Sequence, residues 1–424
     1  MGEPNTIQKE TLPNGLTIIT EAMPHVRSVA VGIWVKSGSR IEPAPVTGIS
    51  HFIEHMVFKG TEHRSAEEIA REVDAVGGQM DAFTAKEMVC FNAKVMDEHL
   101  PRTFEVLSDL VLAPLFREPD IDKERNVILE EISMEEDNPD YLVHEIFSQN
   151  FWLDHAIGRP ILGTRESLAG IGRERLFEFF RRWYTPNQML ITAAGRLEHE
   201  RLVELVAEKF GRLAPHQDGR QDPVPQAHAR ISTRTKRELE QVHLCVGVPT
   251  HPLPHPQRFA VSVLNSILGG GMSSRLFQNV REKEGLAYAI FSDLNAYRDT
   301  GCLSVYAGTA PETARQTLRL ILAELTRLKQ EPVPLEDLRR AQENLKGNLM
   351  LSLESTAARM TKLAREEIYF GRSFTPEEVL AAVDAVTPED LQTLARNFFQ
   401  PHLVAATLLG RLDGLEIARD DLAC

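Results

Sequence analysis

The order of predicted secondary-structure elements occurs twice in this sequence, once on each side of a proline-rich segment. Each half contains a β run, an amphipathic helix that ends in glycine, further β sequence and two long helices. The segment between the halves, residues 213–230, contains three prolines and lacks apolar periodicity. We therefore predict two related domains, 1–212 and 231–424, joined by a linker at 213–230.

The strand and helix patterns also predict the fold class of these domains. In the first half, long helices at 102–112 and 120–136 follow the β runs AVGIWVKSG and MVCFNAKV. In the second half, helices at 312–329 and 335–351 again follow β sequence, and each half closes on a β run, MLITAAG or VAATLLG. Because helices follow groups of strands and do not alternate strictly with them, we expect α+β domains with mostly antiparallel sheets and helices packed on them.

Charge and cysteine content exclude several functional classes. The sequence has 61 Asp and Glu against 47 Lys and Arg, a formal charge of −14, which repels phosphate backbones and anionic lipid. We expect no nucleic-acid or membrane partner, whereas basic peptides would be attracted. The alternative is that the surplus of acid only maintains solubility. The four cysteines form no C-x-x-C pair, and no secretory signal or apolar run of about 18 residues occurs. We expect a cytoplasmic protein.

A short motif, His51-Phe-Ile-Glu54-His55, lies on one side of the helix predicted over residues 47–60. The apolar residues of that helix have the spacing of a core-facing stripe, and the two histidines and the glutamate project from the opposite side. Histidines at i and i+4 can bind one zinc ion, and the neighbouring glutamate can act on a zinc-bound water. The alternative is a solvated helix face that happens to contain two histidines.

Two glutamates, Glu124 and Glu131, project into the apolar side of the helix that begins near Asp120. That side is formed by Ile121, Val127, Ile128 and Ile132. Ionised glutamates are rarely buried without a cation, so the pair indicates a positive centre. Glu130 projects toward solvent, so we expect Glu131 as the third zinc ligand and Glu124 as a supporting or alternate carboxylate. The alternative is a pair of ordinary buried salt bridges to Arg or Lys.

With H-x-x-E-H at 51–55 and a glutamate pair at 124 and 131, the sequence resembles the pitrilysin/insulinase family of zinc peptidases, whose members carry H-x-x-E-H and a downstream E-x6-E. The resemblance extends over nearly the whole chain, and the length is similar to that of the short branch that includes mitochondrial processing peptidase and its bacterial relatives. It implies one Zn²⁺ per chain, bound by His51, His55 and Glu131, with Glu54 as the general base of peptide-bond hydrolysis. It also implies a clamshell around a closed chamber that admits unstructured peptides.

A further segment resembles the substrate-binding edge strand of that family. An extended substrate would add to this strand, so we expect contacts from Asp81, Ala82, Phe83 and Thr84. The family commonly has Asn at the position of Asp81, and an ionised Asp can only accept hydrogen bonds. Without the resemblance, the segment is simply a turn and a strand.

In the second half, a glycine-rich loop from Gly269 precedes Arg281 and Tyr288, which resemble the R-x6-Y pair of the family. The resemblance implies that Arg281 holds a substrate carbonyl and that Tyr288 donates to the developing oxyanion. Taken alone, Tyr288 is an ordinary strand residue. Residues 259–268 occupy the position of the H-x-x-E-H helix and offer no metal ligand, so we expect one zinc site per chain.

The resemblance also predicts an assembly. Single-chain members of the family contain four such domains, which implies that this chain forms a homodimer with shared active sites. Relatives also serve as non-catalytic structural or partner subunits, but those typically lack the zinc motif that is present here. A zinc-dependent hydrolase of non-peptide substrates is a third interpretation, and the edge-strand segment argues against it.

Overall fold

The computed structural model describes residues 7–215 and 222–424, so part of the predicted linker, at 216–221, lies outside the described residues. The strands are β1 (Ile7–Thr11), β2 (Thr17–Ala22), β3 (Ser28–Val35), β4 (Gln79–Thr84), β5 (Val89–Met96), β6 (Met189–Gly195), β7 (Ile231–Thr235), β8 (Val242–Thr250), β9 (Ala287–Ala296), β10 (Gly301–Thr309) and β11 (Ala405–Gly410). The α-helices are α1 (Ile49–Val57), α2 (Ala66–Asp74), α3 (Leu100–Leu112), α4 (Glu118–Asp137), α5 (Pro139–Phe151), α6 (Arg165–Ala169), α7 (Arg173–Trp183), α8 (His199–Phe210), α9 (Arg258–Gly269), α10 (Ala314–Gln330), α11 (Leu335–Ser352), α12 (Thr356–Phe370), α13 (Pro376–Asp384) and α14 (Pro388–Phe398).

The strands form two sheets, and apart from the additional strand β1 the two sheets have the same internal order. The first sheet runs β1-β2-β6-β3-β5-β4 and the second runs β7-β11-β8-β10-β9. The pairs β2–β6 and β7–β11 are parallel, and all other neighbours are antiparallel. The predicted α+β class with mostly antiparallel sheets is confirmed.

The same glycine geometry ends the matching strands β6 and β11. Gly195 and Gly410 have φ values of 135° and 137°, a region that L side chains rarely adopt. A Cβ atom would lie 2.3 Å from the backbone oxygen of Ser28, at the start of β3, or of Gln241, the residue before β8. The repeat inferred from the sequence therefore extends to a backbone detail that only glycine allows.

Two compact units contain these sheets, and each includes a helix from the other half of the sequence. The first unit comprises the described residues within 1–133, 159–222 and 351–373, and the second those within 134–158, 223–350 and 374–424. These units differ from the predicted segments 1–212 and 231–424 in two places. Residues 134–158, with α5, belong to the second unit, and residues 351–373, with α12, belong to the first. The exchange has a physical cause, because each sheet has a second apolar face that local helices leave uncovered.

In the first unit, α12 covers that second face. Its residues Met360, Leu363 and Ala364 are buried against Trp34 and neighbouring residues of the sheet. The Trp34 indole donates to Thr192 Oγ1 at 2.8 Å, and that hydroxyl donates to the Met360 carbonyl at 3.0 Å. In the second unit, α5 covers β8 and β11 with Leu142, Val143 and Phe147.

The opposite face of the first sheet carries the main core of that unit and positions α1. Buried residues of β3 and β5 pack there against α1, α3 and α4, with Phe52, Ile53 and Met56 as the contribution of α1. Among the described residues, no helix combines the length and the apolar character needed to cross a lipid bilayer.

Candidate metal centre and active site

The helix α1 is held by its apolar side and by a carboxylate at its N-terminus. Gly48 precedes the helix with φ 94°, and Glu42 accepts hydrogen bonds from the backbone N–H groups of Gly48 (2.7 Å) and Ser50 (2.8 Å). These N–H groups have no partner inside the helix, so Glu42 satisfies them and opposes the positive end of the helix dipole. Burial raises the pKa of Glu42 to about 7, although both hydrogen bonds and the charge of Lys86 lower it.

Three side chains converge on the other side of α1. Glu131 Oε2 lies 3.7 Å from His51 Nε2 and 3.6 Å from His55 Nε2. One ligand atom from each residue lies within 4.8 Å of the other two. Ligand atoms bound tetrahedrally to zinc at about 2.0–2.1 Å lie roughly 3.3 Å apart, so a small contraction would seat the ion. The structure therefore brings together the three predicted ligands.

The protonation of His51 fits a metal ligand better than it fits an ion pair. Burial, followed by the proximity of His55, lowers the pKa of His51 to about 3, so its imidazole is neutral near pH 7. Its buried Nδ1 has no hydrogen-bond partner among the described residues. Within the same part of the chain, no Lys or Arg side chain pairs with Glu131. Zinc requires a neutral imidazole with a free lone pair, and Nε2 is the His51 nitrogen that faces Glu131.

Glu124 contacts His55 Nδ1, on the ring edge away from Glu131. It also forms a salt bridge with Lys59, as the alternative interpretation of a buried glutamate expects. Its carboxylate accepts from His55 Nδ1 at 3.1 Å and from Lys59 Nζ at 2.8 Å. Because a carboxylate only accepts, this contact places the His55 proton on Nδ1 and leaves Nε2 free on the side of Glu131. Lys59 was not among the predicted site residues, although its position four residues after His55 was a usable signal.

The Glu54 carboxylate contacts the predicted substrate strand. Thr84 Oγ1 donates a hydrogen bond to Glu54 Oε2. Burial raises the pKa of Glu54, and the Thr84 hydrogen bond and the proximity of His55 oppose this shift. The structure thus places Glu54 beside both the histidine pair and strand β4.

Strand β4 is an edge of the first sheet, in agreement with the predicted edge strand. Asp81 Oδ1 accepts from the backbone N–H of Ala82 at 2.9 Å, so this side chain occupies a backbone donor of the strand. Phe83 is 39% exposed and packs edge-on against Trp34, with 5.8 Å between ring centroids. The substrate contacts of Asp81, Ala82, Phe83 and Thr84 stay predictions.

Arg281 and Tyr288 lie together in the second unit. The Arg281 guanidinium is 5.3 Å from the centre of the Tyr288 ring and 4.5 Å from that of Phe277. Arg281 lies in the π-helical segment Phe277–Lys283, and Tyr288 is the second residue of β9. Tyr288 is 80% exposed, so it is available for a ligand, and its role at the zinc site stays a prediction.

Comparison with known proteins shows the family of this chain. A family model described as Insulinase (Peptidase family M16) matches residues 17–165, which include the whole His/Glu cluster, and one described as the Peptidase M16 inactive domain matches 170–345. A Bacillus subtilis protein named as an uncharacterized zinc protease is 41% identical over 93% of this chain and 96% of its own. A Streptomyces coelicolor protein of the same description is 39% identical over 92% of this chain and 87% of its own. The chain belongs to peptidase family M16, the insulinase family.

Solved structures of similar fold agree with the two-sheet architecture of this M16 chain. A protease from Helicobacter pylori superposes with a TM-score of 0.89 at 22% identity, covering 95% of this chain and 99% of its own. A peptidase M16 inactive domain from Pseudomonas fluorescens gives 0.87 at 19% identity, covering 95% and 97%. In this chain, α9 is the counterpart of α1 and contains no His, Asp or Glu, in keeping with the family description of the second half.

Proposed function

We propose that this M16 chain is a zinc-dependent endopeptidase with one Zn²⁺ bound by His51, His55 and Glu131. The observation that carries the proposal is the convergence of two imidazole nitrogens and one carboxylate oxygen. A second carboxylate, that of Glu54, lies on the helix α1 that carries both histidines. The names of the relatives support the metal and the reaction class.

The side chains have separate tasks in this reaction. Bound zinc would polarise the scissile carbonyl and activate water for attack. Glu54 would accept the proton of the attacking water and deliver it to the leaving amine, a task suited to a carboxyl whose pKa is raised. Glu124 holds the His55 ring in orientation through Nδ1, and Arg281 and Tyr288 would stabilise charge on the substrate oxygen.

The substrates that we propose are unstructured peptides, with a preference for basic ones. An extended segment can pair with the edge of β4 through its backbone, which tolerates many sequences. The charge of −14 favours cationic peptides by long-range attraction. Added salt should therefore slow the cleavage of Arg- and Lys-rich peptides more than that of neutral peptides.

The test of the proposal compares Glu54→Gln with the wild-type protein. The variant should keep one zinc per chain and lose at least about 100-fold in turnover of an unstructured peptide, because it loses the general base but no ligand. Near-normal cleavage by the zinc-loaded variant would exclude Glu54 as the base. A wild-type protein that binds zinc and cleaves no peptide from a complex library would favour the alternative, a non-catalytic partner subunit.

A further inference from the structure

The hydroxyl of Thr84 donates its hydrogen bond to the Glu54 carboxylate. A carboxylate only accepts, so Thr84 Oγ1 is the donor in the contact with Glu54 Oε2. Along β4, Met80, Ala82 and Thr84 are less exposed than Gln79, Asp81 and Phe83, so Thr84 lies on the covered face of the strand. Its side chain therefore points to α1 and is not part of the exposed face.

Thr84 is also the only hydrogen-bonding partner of the Glu54 carboxylate in the part of the chain that the structure describes. Glu54 has three side-chain torsions, whereas Thr84 is β-branched and has one restricted torsion. The Thr84 backbone is fixed by its pairing with Val89, a fully buried residue of β5. The rigid partner in this contact is thus the strand, and the flexible partner is the base.

The edge position of β4 gives this contact a second consequence. If a substrate pairs with β4, its backbone register is set by the same strand that holds the Glu54 carboxylate. The distance between the scissile carbonyl and the base then depends on one rigid element, which is the kind of preorganisation that raises turnover.

We propose that Thr84 is a positioning residue that orients Glu54, and that its contribution to substrate binding comes from its backbone and not from its hydroxyl. This inference rests on the proposed function, because it assigns Glu54 as the general base. It predicts an effect on turnover without an effect on zinc or on substrate affinity.

The test uses Thr84→Val, which keeps the β-branched shape and removes the donor, and Thr84→Ser, which keeps the donor. Thr84→Val should retain one zinc per chain and a KM within about 2-fold of wild type, and lose about 10-fold or more in kcat. Thr84→Ser should recover most of that loss. Thr233→Val is the matched control, since Thr233 is an exposed strand residue of β7, and it should leave kcat and KM unchanged.

Crystal structures provide a readout that does not require activity. Zinc-loaded Thr84→Val should show the Glu54 side chain displaced or in several rotamers, and Thr84→Ser should show it in the wild-type position. An unchanged Glu54 rotamer and unchanged kcat in Thr84→Val would overturn the proposal while leaving the function intact. If Glu54→Gln is fully active, the proposed base itself fails. Thr84→Ala, which also lacks the donor, replaces Thr84→Val if the latter does not fold.

Discussion

Burial prepares one histidine at this site, and a hydrogen bond to a carboxylate prepares the other. His51 is neutral because its burial lowers its pKa to about 3, and His55 is oriented because Glu124 holds its Nδ1. Glu131 has no cation partner among the described residues, although its position on α4 places it against both imidazoles. A bound metal ion would therefore supply the cation that this carboxylate lacks.

We expect Glu131→Gln to lose stoichiometric zinc, because a neutral amide oxygen is a much weaker zinc ligand than a carboxylate. The matched control is Glu130→Gln, which changes an adjacent exposed glutamate in the same way and should keep the metal. Zinc per chain, measured by elemental analysis after dialysis, distinguishes the two variants. The reverse pattern would show that the ligand assignment on α4 is wrong.

At this scale, helical periodicity predicted the ligand set but not every neighbour. Rotation of about 100° per residue places Glu124 and Glu131 close to the buried side of α4, and the structure brings both to His55. Val127 was predicted in the apolar stripe and is 43% exposed, because its angle lies beyond the edge of the side that Ile121, Ile128 and Ile132 form. The Thr84–Glu54 contact joins residues far apart in sequence, so local periodicity gave no signal for it.

At the scale of secondary-structure elements, two helices of the first unit are capped by glutamates in opposite electrostatic situations. Glu42 caps α1 and is buried, which raises its pKa to about 7. Glu68 caps α2 from the surface, where hydrogen bonds from Ser65 lower its pKa. The two helices therefore respond to pH with opposite sign.

We expect the stability difference between wild type and Glu42→Gln to fall as pH rises from about 4.5 to 7. A raised folded-state pKa means that the folded protein holds this proton more tightly than the unfolded chain, so the contribution is complete at low pH and is lost through pH 7. A shift of this size corresponds to about 3 kcal/mol of unfolding free energy. Urea unfolding at a series of pH values measures it. Glu68→Gln should give the opposite sign, with a contribution that is lost as pH falls, and equal pH responses would contradict the assignment.

Sequence patterns located the predicted helices and strands well because those elements have their own apolar periodicity. The predicted β run at 189–195 coincides with β6, and the predicted helix at 335–351 differs from α11 by one residue. The patterns did not show which sheet α5 and α12 cover. An amphipathic helix has an apolar side that fits either sheet, and only the folded packing decides between them.

On the scale of the whole molecule, the domain content leads to a prediction about assembly. We propose a homodimer in which Arg281 and Tyr288 of one chain act on substrate bound to the zinc site of the other, because the resembled single-chain peptidases contain four such domains. Mixing inactive Glu54→Gln with inactive Arg281→Ala should restore roughly a quarter of wild-type activity, since random exchange gives half hybrids with one intact site each. Hybrid dimers, verified by mass spectrometry, with no gain over the separate variants would exclude the shared site.

The exchange of α5 and α12 also constrains how the chain folds during its synthesis on the ribosome. Strand β3 ends at Val35, but the helix that covers its Trp34 face ends only at Phe370, so the first unit stays incomplete until most of the chain has been translated. Conversely, α5 leaves the exit tunnel long before β8 and β11 exist to receive it. A nascent chain must therefore carry two uncovered apolar surfaces for most of its synthesis. Residues 356–410, which contain α12 and β11, complete both units at about the same time.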